Sequence, residues 1–420
     1  MTYEEALAAI HERHEKGKKN GVENMRILMA RLGDPQDQLK FVHIVGTNGK
    51  GSAAAMTASV LQEAGYKTGL SMSPYVVDFR ERMRINGEMI PKEALAESAQ
   101  KVLEAVKAME SAAEGAPTEF EVVNAIALWW FAKEQCDFVC LEAGIGGRDD
   151  ATNVIRNTLV TYVMHMGLDH TEQLGYTIEE ITMHKCGVFK NQCAVISYPD
   201  QPAGAKEVIR YEAGRKGCEL TVPELEDIHL LRKGLFDNRI DYGGYELNVP
   251  FPGVHQAENA AVVIEGCLAL WRQGYEISDE AIIKGIEKAS IPGRIEVISS
   301  VPLIVVDGSH NEDGAKALAA TLAVGRRTGM TAIVGMVRGK DHQSFLEALR
   351  PHVRHIIAVE PNTPRALPAD ALADLAEPLF SEVETALHLK EALYLAGRPE
   401  EGLLICGSFY LAGEAKAYFS

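Results

Sequence analysis

The stretch Phe41-Val-His-Ile-Val-Gly-Thr-Asn-Gly-Lys-Gly-Ser52 decides the fold class of this chain. Its mostly apolar beginning predicts a buried strand, and Ala53–Ala64 after it is predicted as a helix. A glycine-rich turn between a strand and a helix lets backbone N–H groups close around phosphate oxygens, and the helix N-terminus adds its dipole. Lys50 is placed to neutralise phosphate charge, and the Ser52 hydroxyl to ligate Mg²⁺. The stretch therefore predicts a nucleotide-binding loop, although Gly51 stands where the usual P-loop has Ser or Thr.

The alternation of strand, turn and helix continues along the chain from this loop. A strongly apolar helix is predicted over 119–135, and strands over 138–141 and 159–164. Thr177 and Glu180 form a capping-box pattern ahead of a helix that carries Lys185. Buried strands that alternate with helices predict a mostly parallel α/β sheet.

The character of the sequence changes twice in the second half. Residues 219–252 alternate between polar and apolar types and contain Gly243-Gly244, which predicts a small antiparallel excursion before a helix over 257–272. The breaker Ile291-Pro-Gly-Arg294 then precedes a fresh α/β series. Its predicted elements are strands over 302–306, 331–335, 356–359 and 403–406, the last closing the sheet, and a helix over 313–325. We predict two domains, 1–295 and 296–420.

Composition and charge exclude several classes of protein. The chain has 420 residues, of which 46% are hydrophobic and 24% charged, so a disordered or fibrous protein is excluded. Acidic residues outnumber basic ones by 59 to 42 and no basic block stands out, which argues against nucleic-acid or anionic-membrane partners. The seven cysteines form no Cys-x-x-Cys pair, and the N-terminus has no apolar signal region. We expect a soluble, cytoplasmic protein with reduced thiols.

Acidic and histidine residues follow several of the predicted strands. Glu142 and Asp169-His170 come at strand ends, where open α/β sheets bind ligands, and could share a divalent ion with a hydroxyl of the phosphate loop. The alternative is that Glu142 caps a turn and His170 is a surface histidine. In the second half, Asp307-Gly-Ser-His310-Asn311 repeats the pattern, with an N-cap of the following helix as the alternative for one Asp or Asn.

Seven ordered motifs together resemble one family. They are HIVGTNGKGS (43–52), SMSPYVVDFRERMRINGE (71–88), EAGIGGRDDATN (142–153), GLDHTEQLG (167–175), HKCGVFK (184–190), PGRIE (292–296) and VVDGSHNEDG (305–314). The sequence resembles the folylpolyglutamate synthase and dihydrofolate synthase group of the Mur-ligase superfamily over nearly the whole chain. The resemblance implies an ATP- and folate-binding P-loop domain over 1–295 and a smaller, C-terminal Rossmann-like ligase domain over 296–420.

The resemblance also implies an activity and its cofactors. A folate carboxylate, or that of dihydropteroate, takes the γ-phosphoryl group of ATP, and the amine of L-glutamate displaces phosphate from the acyl phosphate. Two Mg²⁺ ions are implied, Lys185 matches a lysine that the family carries as a carbamate, and K⁺ is a further candidate cation. The implied enzyme is a monomer with small-molecule partners.

The resemblance assigns roles to individual residues. The implied catalytic residues are Lys50, Lys185, Asp307 and His310. The implied ATP-binding residues are Thr47, Asn48, Gly49, Lys50, Gly51, Ser52, Asn259, Arg294 and Asp307. The implied metal ligands are Ser52, Ser73, Glu142, His170 and Lys185. The implied folate-binding residues are Arg82, Thr118, Glu119, Phe120, Glu121, Asp149, Asp150 and Ala151, and core packing is the alternative for Phe120.

Three residues differ from those that are usual in the family. His184 stands where the family usually has Glu, Cys186 where Ala is common, and Tyr75 where His is frequent.

A cell-wall Mur ligase is a second possibility, but its members usually carry an extra N-terminal domain, and the phosphate loop here follows only 45 residues. A non-catalytic P-loop regulator is a third, and it leaves Asp307 and His310 unexplained.

Overall fold

The run Phe41–Val45 forms a buried strand of an eight-stranded sheet in the computed structural model, which describes residues 1–18, 20–234, 237–291 and 295–419. The strands are β1 (Phe41–Val45), β2 (Thr68–Ser71), β3 (Met83–Ile85), β4 (Glu88–Met89), β5 (Phe138–Glu142), β6 (Thr158–Val163), β7 (Ala194–Ser197) and β8 (Glu219–Thr221). Their order is β4-β3-β2-β5-β1-β6-β7-β8. The six strands from β2 to β8 in this order are parallel, which confirms the predicted α/β class.

Helices accompany this sheet. They are α1 (Tyr3–His11), α2 (Arg13–Lys16), α3 (Glu23–Arg31), α4 (Lys50–Glu63), α5 (Lys92–Ser111), α6 (Glu119–Lys133), α7 (Thr171–Leu174), α8 (Ile178–Cys186), α9 (Ala203–Lys216), α10 (His255–Arg272) and α11 (Asp279–Lys288). α4 begins at Lys50, three residues before the predicted start, because the glycine turn leads directly into the first helical turn. Lys50 and Ser52 therefore lie on the helix N-terminus itself.

The predicted antiparallel excursion is a three-stranded sheet that begins later than expected. Its strands are β9 (Ile228–Lys233), β10 (Asn238–Tyr242) and β11 (Tyr245–Val249), in the order β11-β10-β9. The prediction started the excursion at residue 219, which is wrong, because β8 pairs in parallel with β7 and belongs to the large sheet.

A second sheet has six strands. They are β12 (Glu296–Ser300), β13 (Leu303–Val306), β14 (Met330–Val334), β15 (Val353–Val359), β16 (Glu382–Ala386) and β17 (Leu403–Cys406), in the order β12-β13-β17-β14-β15-β16. The edge strand β12 runs antiparallel to β13, and the other pairs are parallel. Its helices are α12 (Glu312–Val324), α13 (His342–Leu349), α14 (Ala369–Ala376), α15 (Leu389–Ala396) and α16 (Phe409–Phe419). Successive residues such as Val305 and Val306 enter separate apolar clusters, so the sheet is covered on both faces. β17 does not close the sheet at an edge but lies between β13 and β14.

The described residues divide into two compact units. The first comprises 1–73, 80–227 and 258–289, and the second comprises 74–79, 228–257 and 290–420. The second unit thus includes residues 74–79 and 228–257, and its last segment begins at 290, whereas our prediction began the second domain at 296. Among the described residues, no helix has both the length and the apolar character that a membrane span requires. All seven cysteines are free thiols.

Candidate active site

The phosphate loop joins β1 to α4 and is held by the backbone of His165. The amides of Thr47 and Asn48 donate to the His165 carbonyl at 2.8 and 3.2 Å. Gly49 has a φ of +86°, a left-handed conformation that glycine adopts without steric cost. A Cβ at Gly49 would lie 2.6 Å from Oδ1 of Asn259. The structure therefore places the predicted nucleotide residue Asn259 directly against the loop.

Two lysines meet at the carbonyl of Gly46. The Lys50 amino group donates to the carbonyls of Gly46 and Thr47 at 3.1 and 3.0 Å. The Lys185 amino group donates to the Gly46 carbonyl at 2.8 Å. Burial, together with the positive charge of Lys50, lowers the pKa of Lys185 to about 7. Lys185 can therefore lose its proton near neutral pH while it stays next to the phosphate loop.

The end of α8 brings Lys185 to this position. Thr177 and Glu180 form a complete capping box at the start of α8, as predicted. The Arg148 amide donates to the His184 carbonyl at 2.8 Å, which attaches the C-terminal turn of α8 to the loop after β5. A Cβ at Gly147 would lie only 2.4 Å from the Lys185 carbonyl oxygen. Glycine at this position permits the close approach that sets the lysine.

Glu142 and Ser73 meet at the carboxyl ends of adjacent strands. Glu142 is the last residue of β5 and is buried. The Ser73 amide, which follows the neighbouring β2, donates to Glu142 Oε2 at 3.1 Å. Ser52 is buried in the first turn of α4. Carboxylate and hydroxyl oxygens are donors that Mg²⁺ prefers, so these side chains suit the predicted metal.

His170 lies in the loop that follows β6. Its backbone is left-handed, with a φ of +51°, and its amide donates to Asp169 Oδ1 at 2.8 Å. The Thr47 hydroxyl donates to the Gly167 carbonyl at 3.0 Å and accepts from the Gly167 amide at 3.1 Å, which ties this loop to the phosphate loop. Within the described ranges, no group of three or more His, Cys, Asp or Glu side chains is spaced to hold a metal. The predicted ligand set is of another kind, since it includes two hydroxyls and a lysine.

Thr118–Glu121 form the N-terminus of α6. The Glu121 carboxylate accepts from the Thr118 amide at 2.6 Å and from the Thr118 hydroxyl at 2.9 Å, and is buried. Asn24 adds a third hydrogen bond to the same oxygen at 3.2 Å. The carboxylate predicted to bind folate therefore caps the helix. A Cβ at Gly144 would lie 2.4 Å from Cζ of Phe120, so the Phe120 ring covers the turn after β5.

Arg82 and Glu119 lie close to the same histidine. Glu119 Oε1 is 3.2 Å from Nδ1 of His11. This hydrogen bond raises the pKa of His11, and the positive charge of Arg82 opposes the shift. The structure thus brings together two of the predicted folate-binding residues.

The segment Asp149–Ala151 continues the turn after β5. Asp149 Oδ2 is 3.1 Å from Nε2 of His184. The Asp150 carboxylate is buried and accepts from the amides of Ile145 and Thr152 at 2.9 and 3.0 Å. Asp149 faces outward in part, whereas Asp150 holds the backbone of the turn.

In the second unit, Asp307 organises the loop after β13. Its two carboxylate oxygens accept from the amides of Ile295 and Ser309 at 2.8 and 2.9 Å, and the side chain is buried. His310 Nδ1 lies 3.0 Å from the Gly308 carbonyl, and its ring packs against Phe409. The N-cap of α12 is Asn311, so capping does not account for Asp307 or His310. Arg294 lies outside the described residues.

Comparison with known proteins agrees with these observations. Residues 293–409 match the family described as Mur ligase, glutamate ligase domain. The chain is 36% identical over 384 residues to dihydrofolate synthase/folylpolyglutamate synthase of Bacillus subtilis, with 89% of each chain covered. It is 32% identical to folylpolyglutamate synthase of Lacticaseibacillus casei, with 99% of this chain and 98% of the relative covered. The chain belongs to the folylpolyglutamate synthase and dihydrofolate synthase family.

Solved structures of this family share the fold over the full chain. Mycobacterium tuberculosis folylpolyglutamate synthase complexed with ADP superposes with a TM-score of 0.89 at 28% identity, covering 99% of this chain and 98% of that one. Escherichia coli FolC in complex with DHPP and ADP gives a TM-score of 0.86 at 29% identity, covering 100% and 97%. The predicted combination of a P-loop sheet and a smaller α/β domain is confirmed.

His184, a departure from the usual family sequence, has a defined place. Besides its contact with Asp149, its Nδ1 is buried and would be 2.5 Å from a Cβ at Gly146, which has a φ of +78°. Burial is the main cause of the lowered pKa of His184, and the charge of Arg148 adds to it. The histidine therefore packs into the glycine turn and leaves Lys185 at the phosphate loop.

Sequence reasoning missed His43 and Thr152. His43 Nε2 lies 2.9 Å from Oγ1 of Thr152, and both residues are completely buried. The available signal was a histidine inside the otherwise apolar run that became β1. A polar side chain in a buried strand needs a hydrogen-bond partner, and that partner is distant in sequence.

Proposed function

We propose that this chain joins L-glutamate to the carboxylate of a folate in an ATP-dependent reaction, and that dihydropteroate is a second acceptor. Membership of the folylpolyglutamate synthase and dihydrofolate synthase family supports this activity. The observation that carries the proposal is the meeting of Lys50 and Lys185 at the Gly46 carbonyl. The positive charge of Lys50 at the phosphate loop suits a reaction between two anionic substrates, and Lys185 at the same carbonyl is placed to bind a cation there as its carbamate.

The reaction proceeds through two displacements. A folate carboxylate oxygen attacks the γ-phosphorus of ATP, and ADP leaves, which gives an acyl phosphate. The glutamate amine then attacks the acyl carbon, phosphate leaves, and the nitrogen loses a proton as the amide forms. Both substrates of the first step are anions, so catalysis consists mainly of positioning and charge neutralisation. We assign charge neutralisation to Lys50 and to the backbone amides of 47–52.

We assign the metal site to Ser52, Ser73, Glu142 and His170, together with Lys185 as a carbamate. Mg²⁺ bound there would neutralise phosphate charge, two ions are proposed, and K⁺ is a further candidate. A plain ammonium group repels a cation, whereas a carbamate offers oxygen donors. The pKa of Lys185, lowered to about 7 mainly by burial, supports carbamate formation, because only the neutral amine reacts with CO₂.

The folate site is proposed to use three separate segments of the first unit. Arg82, Glu119 and Asp149 supply partly exposed polar groups, and the ring of Phe120 supplies a flat apolar surface suited to a pterin. The carboxylates of Glu121 and Asp150 hold the backbone of their segments. Thr118 and Ala151 complete the proposed set.

The second unit is proposed to supply Asp307, His310 and Arg294 to nucleotide binding and catalysis. Asp307 is engaged by two backbone amides, so we assign it the positioning of the loop that presents His310. We further propose a monomeric, cytoplasmic enzyme whose partners are small molecules. The net charge of −17 supports the view that neither nucleic acid nor an anionic membrane is a partner.

One assay tests the activity directly. Phosphate release is measured with ATP and Mg²⁺, with tetrahydrofolate or dihydropteroate, each in the presence and absence of L-glutamate. The proposal requires release that depends on both glutamate and one of the acceptors, together with an amide product identified by mass spectrometry. Phosphate release that depends on neither glutamate nor an acceptor would instead indicate a P-loop regulator.

A further inference from the structure

His43 occupies the middle of β1, with Leu141 on one neighbouring strand and Thr161 on the other. The side chain is completely buried, and burial lowers its pKa to about 3, so the ring is neutral at physiological pH. A neutral imidazole carries one N–H group and one bare nitrogen. The contacts of the ring determine which of the two nitrogens carries the hydrogen.

The hydroxyl of Thr152 fixes the tautomer of His43. Thr152 Oγ1 lies 2.6 Å from Oδ1 of Asp150 and 2.9 Å from Nε2 of His43. A hydroxyl has one hydrogen, and a carboxylate oxygen can only accept, so the Thr152 hydrogen points to Asp150. Nε2 of His43 must therefore carry its own hydrogen and donate it to Thr152. Nδ1 is then the bare nitrogen, and no hydrogen-bond partner lies near it among the described residues.

The chain of hydrogen bonds from His43 through Thr152 to Asp150, which we call the relay, ends on the turn that follows β5. Asp150 Oδ1 also accepts from the Thr152 amide, and its Oδ2 accepts from the Ile145 amide at 2.9 Å. Ile145 lies next to Gly144, against which the Phe120 ring packs. The orientation of one buried carboxylate thus sets the backbone of the segment that we assign to folate.

We propose that His43 is a positioning residue for the folate site, acting through Thr152 and Asp150 on Gly144 and Ile145; this rests on the proposed function. The donated hydrogen bond holds the Thr152 hydroxyl so that its hydrogen is directed to Asp150. An apolar side chain at residue 43 leaves the Thr152 oxygen without the hydrogen bond it accepts, which weakens the hold of Thr152 on Asp150 and loosens the turn. The phosphate loop depends on other contacts, from His165 and Gly167, so nucleotide binding does not pass through this relay.

The test compares two pairs of variants that differ in whether the relay survives. His43→Gln keeps a side-chain N–H near the position of Nε2, and His43→Leu removes it. Thr152→Ser keeps the hydroxyl, and Thr152→Val removes it. Loss of one hydrogen bond, worth about 0.5–1.5 kcal/mol, corresponds to a rise of about 2- to 10-fold in the KM for folate. His43→Leu and Thr152→Val should show this rise with the KM for ATP unchanged, and His43→Gln and Thr152→Ser should recover most of it.

Binding of dihydropteroate and of ADP, each followed by calorimetry, gives a readout besides activity. Dihydropteroate should bind more weakly to His43→Leu and Thr152→Val, with ADP unaffected. An equal weakening for both ligands, or none for dihydropteroate, would overturn the inference. If His43→Leu does not fold, the two Thr152 variants decide the question in the same way.

The tautomer has its own measurement in the wild-type enzyme. Nitrogen-15 labelling of histidine, with the His43 signals assigned by loss in His43→Gln, should show a proton on Nε2 and none on Nδ1. A proton on Nδ1 would refute the relay. A wild-type protein that shows this tautomer but neither binds nor uses tetrahydrofolate or dihydropteroate would disprove the proposed function and leave the relay without its proposed role, which separates the two failures.

Discussion

The Lys185 amino nitrogen lies 2.8 Å from the carbonyl oxygen of Gly46, although 139 residues separate the two in the chain. The contact joins the C-terminal turn of α8 to the first residue of the phosphate loop. It places a lysine whose pKa burial lowers to about 7 beside a second lysine, Lys50, on the same carbonyl.

Lys50→Ala should abolish most turnover while the fold survives. The side chain is proposed to neutralise phosphate charge, and removal of one such group typically costs about 100- to 1000-fold in rate. Initial rates of phosphate release measure the effect, and circular dichroism checks the fold. Lys316→Ala is the control, since Lys316 is an exposed lysine that pairs with Glu312 on the same helix, far along the chain from the phosphate loop. A Lys50→Ala enzyme with near-normal turnover would refute the phosphate role.

Lys185→Ala should depress ligase activity strongly, and short carboxylates such as acetate should restore part of it. The neutral amine of Lys185 attacks the carbon of CO₂ and releases one proton, so the carbamate supplies oxygens that acetate can replace. Wild-type activity should also fall when bicarbonate and CO₂ are removed from the buffer. Lys190→Ala is the matched control, because Lys190 is also largely buried but bonds to Asn153 instead of the phosphate loop. Full activity of Lys185→Ala, with no response to acetate, would contradict the carbamate.

Asp307→Ala should destabilise the second unit and remove activity. The substitution leaves the amides of the buried Ile295 and the half-buried Ser309 without their acceptor, at a cost of about 1–3 kcal/mol for a fully buried unpaired group. Urea unfolding measures this loss. Asp341→Ala is the control, because Asp341 is an exposed N-cap of α13 and its removal should cost about 1 kcal/mol without loss of turnover. Unchanged turnover in Asp307→Ala would show that the loop after β13 does not need the hydrogen bonds of the Asp307 carboxylate.

His43 should make the folded protein sensitive to acid. Its pKa is about 3 in the folded chain, against an ordinary value of 6.5, so the unfolded chain binds a proton that the folded chain excludes. Stability is therefore unaffected above pH 6.5 and falls as the pH drops from 6.5 towards 3, with a slope from this group of up to about 1.4 kcal/mol per pH unit.

Urea unfolding between pH 7.5 and 4.5 measures that slope. His43→Gln should flatten it, because glutamine does not titrate. His14→Gln, at an exposed histidine on α2, is the control and should leave the slope unchanged. If the free energy of unfolding falls with the same slope against pH in the wild type and in His43→Gln, the folded chain does not exclude a proton from His43.

Local patterns in the sequence predicted the elements of the fold but not their lateral order. The strand at 41–45, the glycine turn and the capping box at Thr177 each depend on residues close together in the chain, and each was found as predicted. The insertion of β17 between β13 and β14 depends on pairings between distant residues. Periodicity carries no information about such pairings.

In the candidate site, too, features that depend on neighbouring residues could be predicted, and features that depend on distant residues could not. The pattern Thr118-x-x-Glu121 is a capping box like the one at Thr177, and it was readable as such, yet the resemblance directed attention to folate. The partner of His43 was not readable, since Thr152 is 109 residues away. Buried polar networks of this kind become visible only when the strands are side by side.

The strand order of the large sheet has a consequence for synthesis on the ribosome. β1 pairs with β5 and β6, and β2 pairs with β5, while β1 and β2 do not pair with each other. The amides of Thr47 and Asn48 also need the carbonyl of His165. A nascent chain of fewer than 158 residues lacks β6, so one edge of the apolar β1 is unpaired, and a chain shorter than 165 residues lacks the carbonyl that holds the phosphate loop. The nucleotide therefore meets no formed phosphate loop early in synthesis, and we expect the emerging N-terminal third to be the part most exposed to misfolding.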